Sequence, residues 1–141
     1  RPEGLFYNSG YTTTGETLSA ITYNDVLDLE LAVEEKNGTD YVFVANPKVK
    51  FHLKGTQMAS GLDMVYSKGE IDGYKAIVSN SVADKGIMAI STRDLCAAFW
   101  SGIDITVDPF SRAQYNEVRL VVNFLCDAKL RGDRVAAAIY E

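Results

Sequence analysis

Three features of the sequence predict an α+β fold. Two segments carry helix caps and helical spacing, several short apolar runs sit between turn residues, and one long stretch near the C-terminus alternates strictly. From Glu117 to Arg131, Val118, Leu120, Val122, Phe124, Cys126, Ala128 and Leu130 fall on one face. Arg119, Val121, Asn123, Leu125, Asp127, Lys129 and Arg131 fall on the other. A period of two puts the first set on a core and the second largely in water. At ~3.3 Å per residue a single strand of that span would run about 45 Å, too long for one compact core. The expectation is a strand that leaves one domain and enters a second sheet.

The remaining elements follow in chain order. Residues 1–16 are rich in Gly, Thr, Ser and Tyr and read as an extended lead-in, with one short strand near Leu5 to Tyr7. Thr22 or Asn24 caps a helix running to about Asn37, with Asp25 and Asp28 at its positive end. Val26, Leu29 and Val33, joined by Leu27 and Leu31, form a wide apolar stripe. Gly38 is expected to end the helix in the left-handed conformation. Tyr41 to Ala45 is nearly all apolar and reads as a central strand covered on both faces.

Asn46-Pro47 then starts a second helix, because asparagine caps well and proline at the first helical position forfeits no needed donor. Gly55 stops it. Thr56 to Gly73 is a long excursion with one short strand, and excursions of that length in compact domains are usually functional or mobile. Tyr74 to Ser79 and Gly86 to Ile90 are strands, Asp94 to Trp100 fits either a short helix or a strand, and Ile103 to Val107 is a strand that Pro109 ends. Gly132-Asp133 turns the chain into a last strand carrying Val135, Ala137 and Ile139.

Composition narrows the function classes. The 141 residues are 47% hydrophobic and 23% charged, with a net charge of −5 and no basic stripe. Sequence-reading DNA binding needs a concentrated positive surface, so it is not expected. The longest apolar runs fall far short of a membrane span. The chain opens Arg1-Pro2-Glu3-Gly4 without an initiator Met, which reads as a fragment or a processed product. Cys96 and Cys126 follow no metal or redox spacing and are expected to be reduced and structural.

Candidate catalytic constellations each meet a simpler explanation. His52 is the single histidine, sits between Phe51 and Leu53 on a helix, and has no nucleophile motif to serve. The carboxylate pairs Glu34/Glu35, Asp104/Asp108 and Asp25/Asp28 could flank a glycosidic bond, but read as solvated acids on a helix face or strand edge. Lys54-Gly55-Thr56 follows a helix rather than a strand, which is the wrong context for a phosphate loop. Arg131-Gly132-Asp133 is a cell-adhesion tripeptide by spelling and a hairpin turn by backbone preference. Asn37-Gly38-Thr39 spells a glycan acceptor at what is expected to be a helix end. Neither an enzyme nor any metal or cofactor is expected.

Several segments in order resemble the major capsid proteins of tailed bacteriophages and prophages, with the Hong Kong 97-type fold. Tyr41-Val42-Phe43-Val44-Ala45-Asn46-Pro47 resembles that family's strand, Asn-Pro and helix step. Asp72-Gly73-Tyr74-Lys75-Ala76-Ile77-Val78-Ser79-Asn80 is similar to its next strand, with Lys75 where proline is usual. The block from Ile103 to Ala137 resembles its C-terminal end, although Arg131-Gly132-Asp133-Arg134 lacks the proline usual in that turn. The resemblance covers roughly residues 20 to 141.

It implies an axial domain over residues 17–116, a mixed sheet flanked by helices, and a long strand and final strand over 117–141 shared with a peripheral domain. The family's N-terminal arm, extended loop and long peripheral helix would lie outside this chain. The implied role is a virion subunit, assembled in the bacterial cytoplasm, that forms pentamers and hexamers with copies of itself around double-stranded DNA. Contact with that DNA would be non-specific at most, and no membrane is involved. Met58, Leu62, Met64 and Tyr66 in the excursion would meet neighbouring copies or pack beneath the loop as a satellite cluster. Asn116 falls near the position where some relatives form an intersubunit lysine–asparagine link, whose lysine would lie outside this chain. The alternative from another class is a small α+β binding or adhesion module of unknown ligand.

Overall fold

The computed structural model describes residues 12–13, 16–100 and 102–141, so the expected strand near Leu5 to Tyr7 and most of the lead-in lie outside the described residues. Helix α1 spans Tyr23–Glu34. The Thr22 backbone N–H donates to the Asp25 carboxylate at 2.6 Å, which satisfies one of the donors that a helix start leaves open. Val26, Leu29 and Val33 are buried as expected. Leu27 and Leu31 are not; both are exposed, and the fourth buried position of the face is Glu30. The stripe is therefore narrower than the sequence suggested, and a carboxylate lies within it.

The α1 terminus also differs in its chemistry. The left-handed residue is Asn37, with φ 57°, not Gly38. Gly38 is needed for space: a Cβ there would stand 2.4 Å from Val33 Cγ1 and 2.8 Å from the Val33 carbonyl oxygen. Its N–H donates to that same carbonyl at 3.0 Å, closing the helix end.

Strand β2 (Tyr41–Ala45) leads through Asn46 into helix α2 (Pro47–Leu53). Asn46 Oδ1 accepts from the Lys48 N–H at 3.0 Å while its Nδ2 donates to the Val82 carbonyl at 3.3 Å, so one side chain caps the helix and ties it to the next loop. The strands are β1 (Thr12–Thr13), β2, β3 (Tyr66–Ser67), β4 (Glu70–Ile71), β5 (Tyr74–Val78), β6 (Gly86–Ser91) and β11 (Val135–Ile139). They form one sheet in the order β1-β11-β6-β2-β5-β4-β3. The β2–β5 and β1–β11 pairs are parallel and the others antiparallel, so the sheet is mixed.

β2 holds the centre, as its apolar run implied. Tyr41, Phe43 and Ala45 join Ile87, Ala89 and Ala138 in the main core, beneath both helices. The opposite face carries a smaller cluster of Met88, Ile90, Val135 and Ala137, with Val44 and Val82 against it. β6 is buried along its whole length because both of its faces are covered.

The region expected to be one long strand is two. β9 (Arg119–Asn123) and β10 (Cys126–Leu130) are separated at Phe124 and Leu125, and they pair with different partners. β9 pairs with β8 (Asp104–Asp108), whereas β10 pairs with β7 (Leu95–Phe99), which resolves the ambiguous segment as strand. Nor does Arg131-Gly132-Asp133 close a hairpin. It carries the chain from β10 back into the sheet at β11.

Candidate assembly surface

β6 to β11 form a single nested excursion: out along β6, β7 and β8, back along β9, β10 and β11. The register is continuous from Gly86↔Ile139 to Ile90↔Val135, and on through Leu95↔Leu130 to Phe99↔Cys126. Beyond that it slips by two residues, since Asp104 faces Asn123 where an unbroken ladder would face it with Val121. The slip follows from unequal connections, four residues between β7 and β8 and two between β9 and β10. The extension formed by β7 to β10 is thus the outward continuation of the β6/β11 pair.

Cross-strand partners share a face, so the ladder states what each face presents. One face of the extension pairs Leu95 with Leu130, Ala97 with Ala128 and Phe99 with Cys126, then Ile105 with Val122 and Val107 with Leu120. The other pairs Cys96 with Lys129, Ala98 with Asp127, Asp104 with Asn123 and Asp108 with Arg119. Phe124 bridges the gap on the apolar side, its ring 5.7 Å from that of Phe99. The alternation read from the sequence is preserved, but the expected burial is not. Leu120 is 64% exposed, Val122 61% and Phe99 67%, and Val118 is likewise exposed. Two-stranded ribbons have no second layer of their own, so among the described residues the face lies open outward of Leu130, which packs against the smaller cluster. Cys96 and Cys126 are both free and exposed, and their ladder positions put them on opposite faces.

The root of the extension is tightly held. Ser91 is buried and its hydroxyl donates to the Thr39 carbonyl at 3.1 Å, while Arg93 meets Asp40 at 2.7 Å. The Arg131 N–H donates to the Asp94 carbonyl at 2.7 Å, and Arg134 Nη1 stands 3.7 Å from the buried Asp94 carboxylate. A Cβ at position 132 would lie 3.3 Å from Asp94 Oδ2, a contact that the Asp94 side chain would have to yield to. The adhesion-like tripeptide is a junction.

The excursion between α2 and β5 has two anchors that sequence reasoning passed over, Val65 and Ile71, both fully buried. Val65 N–H donates to the Thr56 carbonyl at 2.9 Å and Gln57 bridges Met64, so the excursion folds back on itself. Met58 and Tyr66 pack against the main core, and Lys50 Nζ lies 5.3 Å above the Tyr66 ring. Leu62 and Met64 are exposed. Asn116 sits elsewhere, exposed and left-handed at φ 55°, ending the turn between β8 and β9. The structure thus brings four of the five candidate residues into one loop and leaves the fifth on the extension.

One member of each carboxylate pair serves local structure. Asp25 caps α1, and Glu34 accepts from the Tyr41 hydroxyl at 3.2 Å. Asp108 accepts from the Ser111 hydroxyl and from the Phe110 and Ser111 N–H groups, and these bonds hold its carboxyl below the usual carboxylate range. His52 lies edge-on to Phe51 at 5.7 Å. Among the described residues no group of three or more His, Cys, Asp and Glu is arranged to hold a metal, and no helix is long and apolar enough to cross a membrane.

Comparison with known proteins converges on one family. No curated protein matches the chain. The solved structures it resembles include the capsid of an empty GTA particle, at TM-score 0.72 and 16% identity over 99% of this chain and 56% of that one. A virus-like particle from Pyrococcus furiosus aligns at TM-score 0.66 and 15% identity, over 95% of this chain and 58% of its own. Mycobacterium phage Che8 aligns at TM-score 0.67 and 15% identity, over 95% and 54%. The chain therefore spans little more than half the length of these structures. The α+β fold, a mixed sheet with two helices, is the one they share. The family model described as phage capsid family matches residues 1–139, and this chain belongs to that family.

Proposed function

We propose that this chain is the larger part of a structural subunit of a phage or prophage icosahedral capsid, one that self-assembles into pentamers and hexamers to enclose double-stranded DNA. The observation that carries the reading is the long apolar face of the β7–β10 extension, exposed in the isolated chain yet built in register with its buried root. Covering Ile105, Val107, Leu120 and Val122 would contribute on the order of 5 kcal/mol of gross burial, a scale suited to one of several repeated contacts. Relatives by fold are capsids and virus-like particles, which supports self-association. A net charge of −5 suits a container wall that does not grip its contents.

In this reading residues 17–116 are the axial part and 117–141 the strands shared with the peripheral part; both limbs of the extension leave the sheet at residues 92–94 and 131–134. Leu62 and Met64 at the excursion surface, and Asn116 at the turn between β8 and β9, are contacts to neighbouring copies; Met58 and Tyr66 hold the excursion against the core behind them. The test is electron microscopy and native mass spectrometry of the full-length gene product. Capsomers or shells are expected, and the Leu120→Asp, Val122→Asp double variant should fold but fail to assemble. Failure of the unmodified product to assemble under any condition, or normal shells from the double variant, would reject the reading.

A further inference from the structure

The two helices divide charge between them. From Tyr23 to Glu35 the sequence carries five acids and no base, and from Pro47 to Gly55 three lysines and no acid. In a chain of net charge −5 the second segment is a basic island. Yet none of the ion pairs among the described residues joins α1 to α2. The complementarity of the two helices is not used within the chain.

Each helix also turns apolar side chains to solvent amid those charges. On α1, Leu27, Asp28, Leu31 and Glu35 are exposed, and helical spacing puts them opposite the buried Val26, Leu29 and Val33. On α2, Lys48, Phe51 and Lys54 are exposed at i, i+3 and i+6, opposite the buried Val49 and Leu53. Leu31 is 54% exposed and Phe51 75%. The groove beside Phe51 is lined by Lys48 and Lys85, with Glu141 its one acid among the described residues.

The two stripes match in order and in length. At ~1.5 Å per residue, Lys48 and Lys54 stand about 9 Å apart along α2 with Phe51 midway. By the same rise, Asp28 and Glu35 stand about 10 Å apart along α1 with Leu31 between them. Base, ring, base on one helix answers acid, leucine, acid on the other.

We propose that the Lys48–Phe51–Lys54 stripe of α2 docks on the Asp28–Leu31–Glu35 stripe of α1 in a second copy of this chain, as a contact that closes rings of subunits. This rests on the capsid reading and names one of its contacts. Each copy offers one stripe and receives on the other, so the contact repeats head to tail. Phe51 against Leu27 and Leu31 takes apolar surface from water on both partners, while the charges set the register and reject α1 on α1 and α2 on α2. Lys48 holds Asp84 at 2.8 Å, but that pair is exposed on both sides and can open toward a neighbour's carboxylate. The rival occupant of the basic stripe is the phosphate backbone of packaged DNA. It is the poorer fit: Asp84 and Glu141 stand among the lysines, Lys50 lies over the Tyr66 ring, and phosphates make no use of an exposed Phe51.

The experiment follows capsomer formation by the full-length gene product in native mass spectrometry. Lys48→Glu with Lys54→Glu on α2, or Asp28→Lys with Glu35→Lys on α1, should each leave folding intact, since all four side chains are exposed. Each pair should abolish capsomers. Mixing the two reversed chains restores opposite charges at every contact only where they alternate around a ring. Hexamers should therefore return from the mixture and pentamers should not, because five copies cannot alternate. One chain carrying all four reversals should form both. Phe51→Ser, which changes no charge, should raise the concentration needed for assembly about tenfold.

Capsomers from either reversed chain alone, or no hexamers from the mixture, would overturn the docking and leave the capsid reading standing. Normal capsomers with poorer DNA retention after the α2 reversal would overturn it in favour of the phosphate backbone. Should a reversed chain fail to fold, Phe51→Ser decides, and unchanged assembly overturns the docking. If the unmodified product forms no capsomers, the capsid reading fails and weak pairs decide. Amide shifts at Leu31 and Phe51 that grow with concentration and shrink with salt then support the docking, and their absence overturns it.

Discussion

The β6/β11 pair and the β7–β10 extension are two stretches of one ladder with opposite fates. Along β6 and β11 the alternating residues meet a helix layer on one side and a second apolar cluster on the other. Along β7 to β10 the same alternation, in the same register through Phe99↔Cys126, meets no such layer among the described residues outward of Leu130. A period of two therefore specifies which side chains share a face. It does not specify whether the chain itself supplies the cover, and in a subunit built to assemble the cover can come from outside.

The sharpest way to break that contrast is to cut the body and the extension alike. Phe43→Ala removes a fully buried ring from the centre of the sheet and should cost about 3–5 kcal/mol in denaturant unfolding. Gly38→Ala comes next. The new Cβ would stand 2.4 Å from Val33 Cγ1, and the forced shift should cost about 1–3 kcal/mol, read as a lowered melting temperature. Asn46→Ala removes the α2 cap and the bond to Val82, for a loss of about 1 kcal/mol by the same measurement. Leu120→Ala, on the extension, should change the stability of this chain by less than about 0.5 kcal/mol, because the side chain is already largely in water. A loss comparable to Phe43→Ala would mean that the extension has a core of its own and would dissolve the contrast. Smallest of all, Lys48→Ala should leave stability nearly unchanged, since its ion pair with Asp84 is well exposed on both sides.

How far the sequence reading reached depends on how local each signal is. Asn46-Pro47 announced the start of α2 because a cap and a missing N–H act within one turn. The apolar run Tyr41 to Ala45 announced a central strand, and it sits in the middle of the sheet order. Gly38 was rightly placed at a helix end but for the wrong reason, because the approach of Val33 is a contact that no local pattern displays. Leu27 and Leu31 were expected on the buried stripe and stand exposed, while Glu30 is buried on it, since a helical wheel gives a direction and packing partners far away in sequence settle what lies there. Of the candidate contact residues, the apolar character of the excursion was visible. That Met58 and Tyr66 turn inward while Leu62 and Met64 stay out was not.

Residue order alone established the caps, the strand-forming runs and the alternation from Val118 to Leu130, because each of these is written in neighbours a few positions apart. Only the folded chain decided that the long alternating stretch breaks at Phe124 and Leu125, that its halves pair with different strands, and that its apolar face lies open. Those outcomes turn on unequal connection lengths and on which surfaces arrive opposite one another. Both are properties of chain closure over tens of residues, beyond the reach of any local pattern.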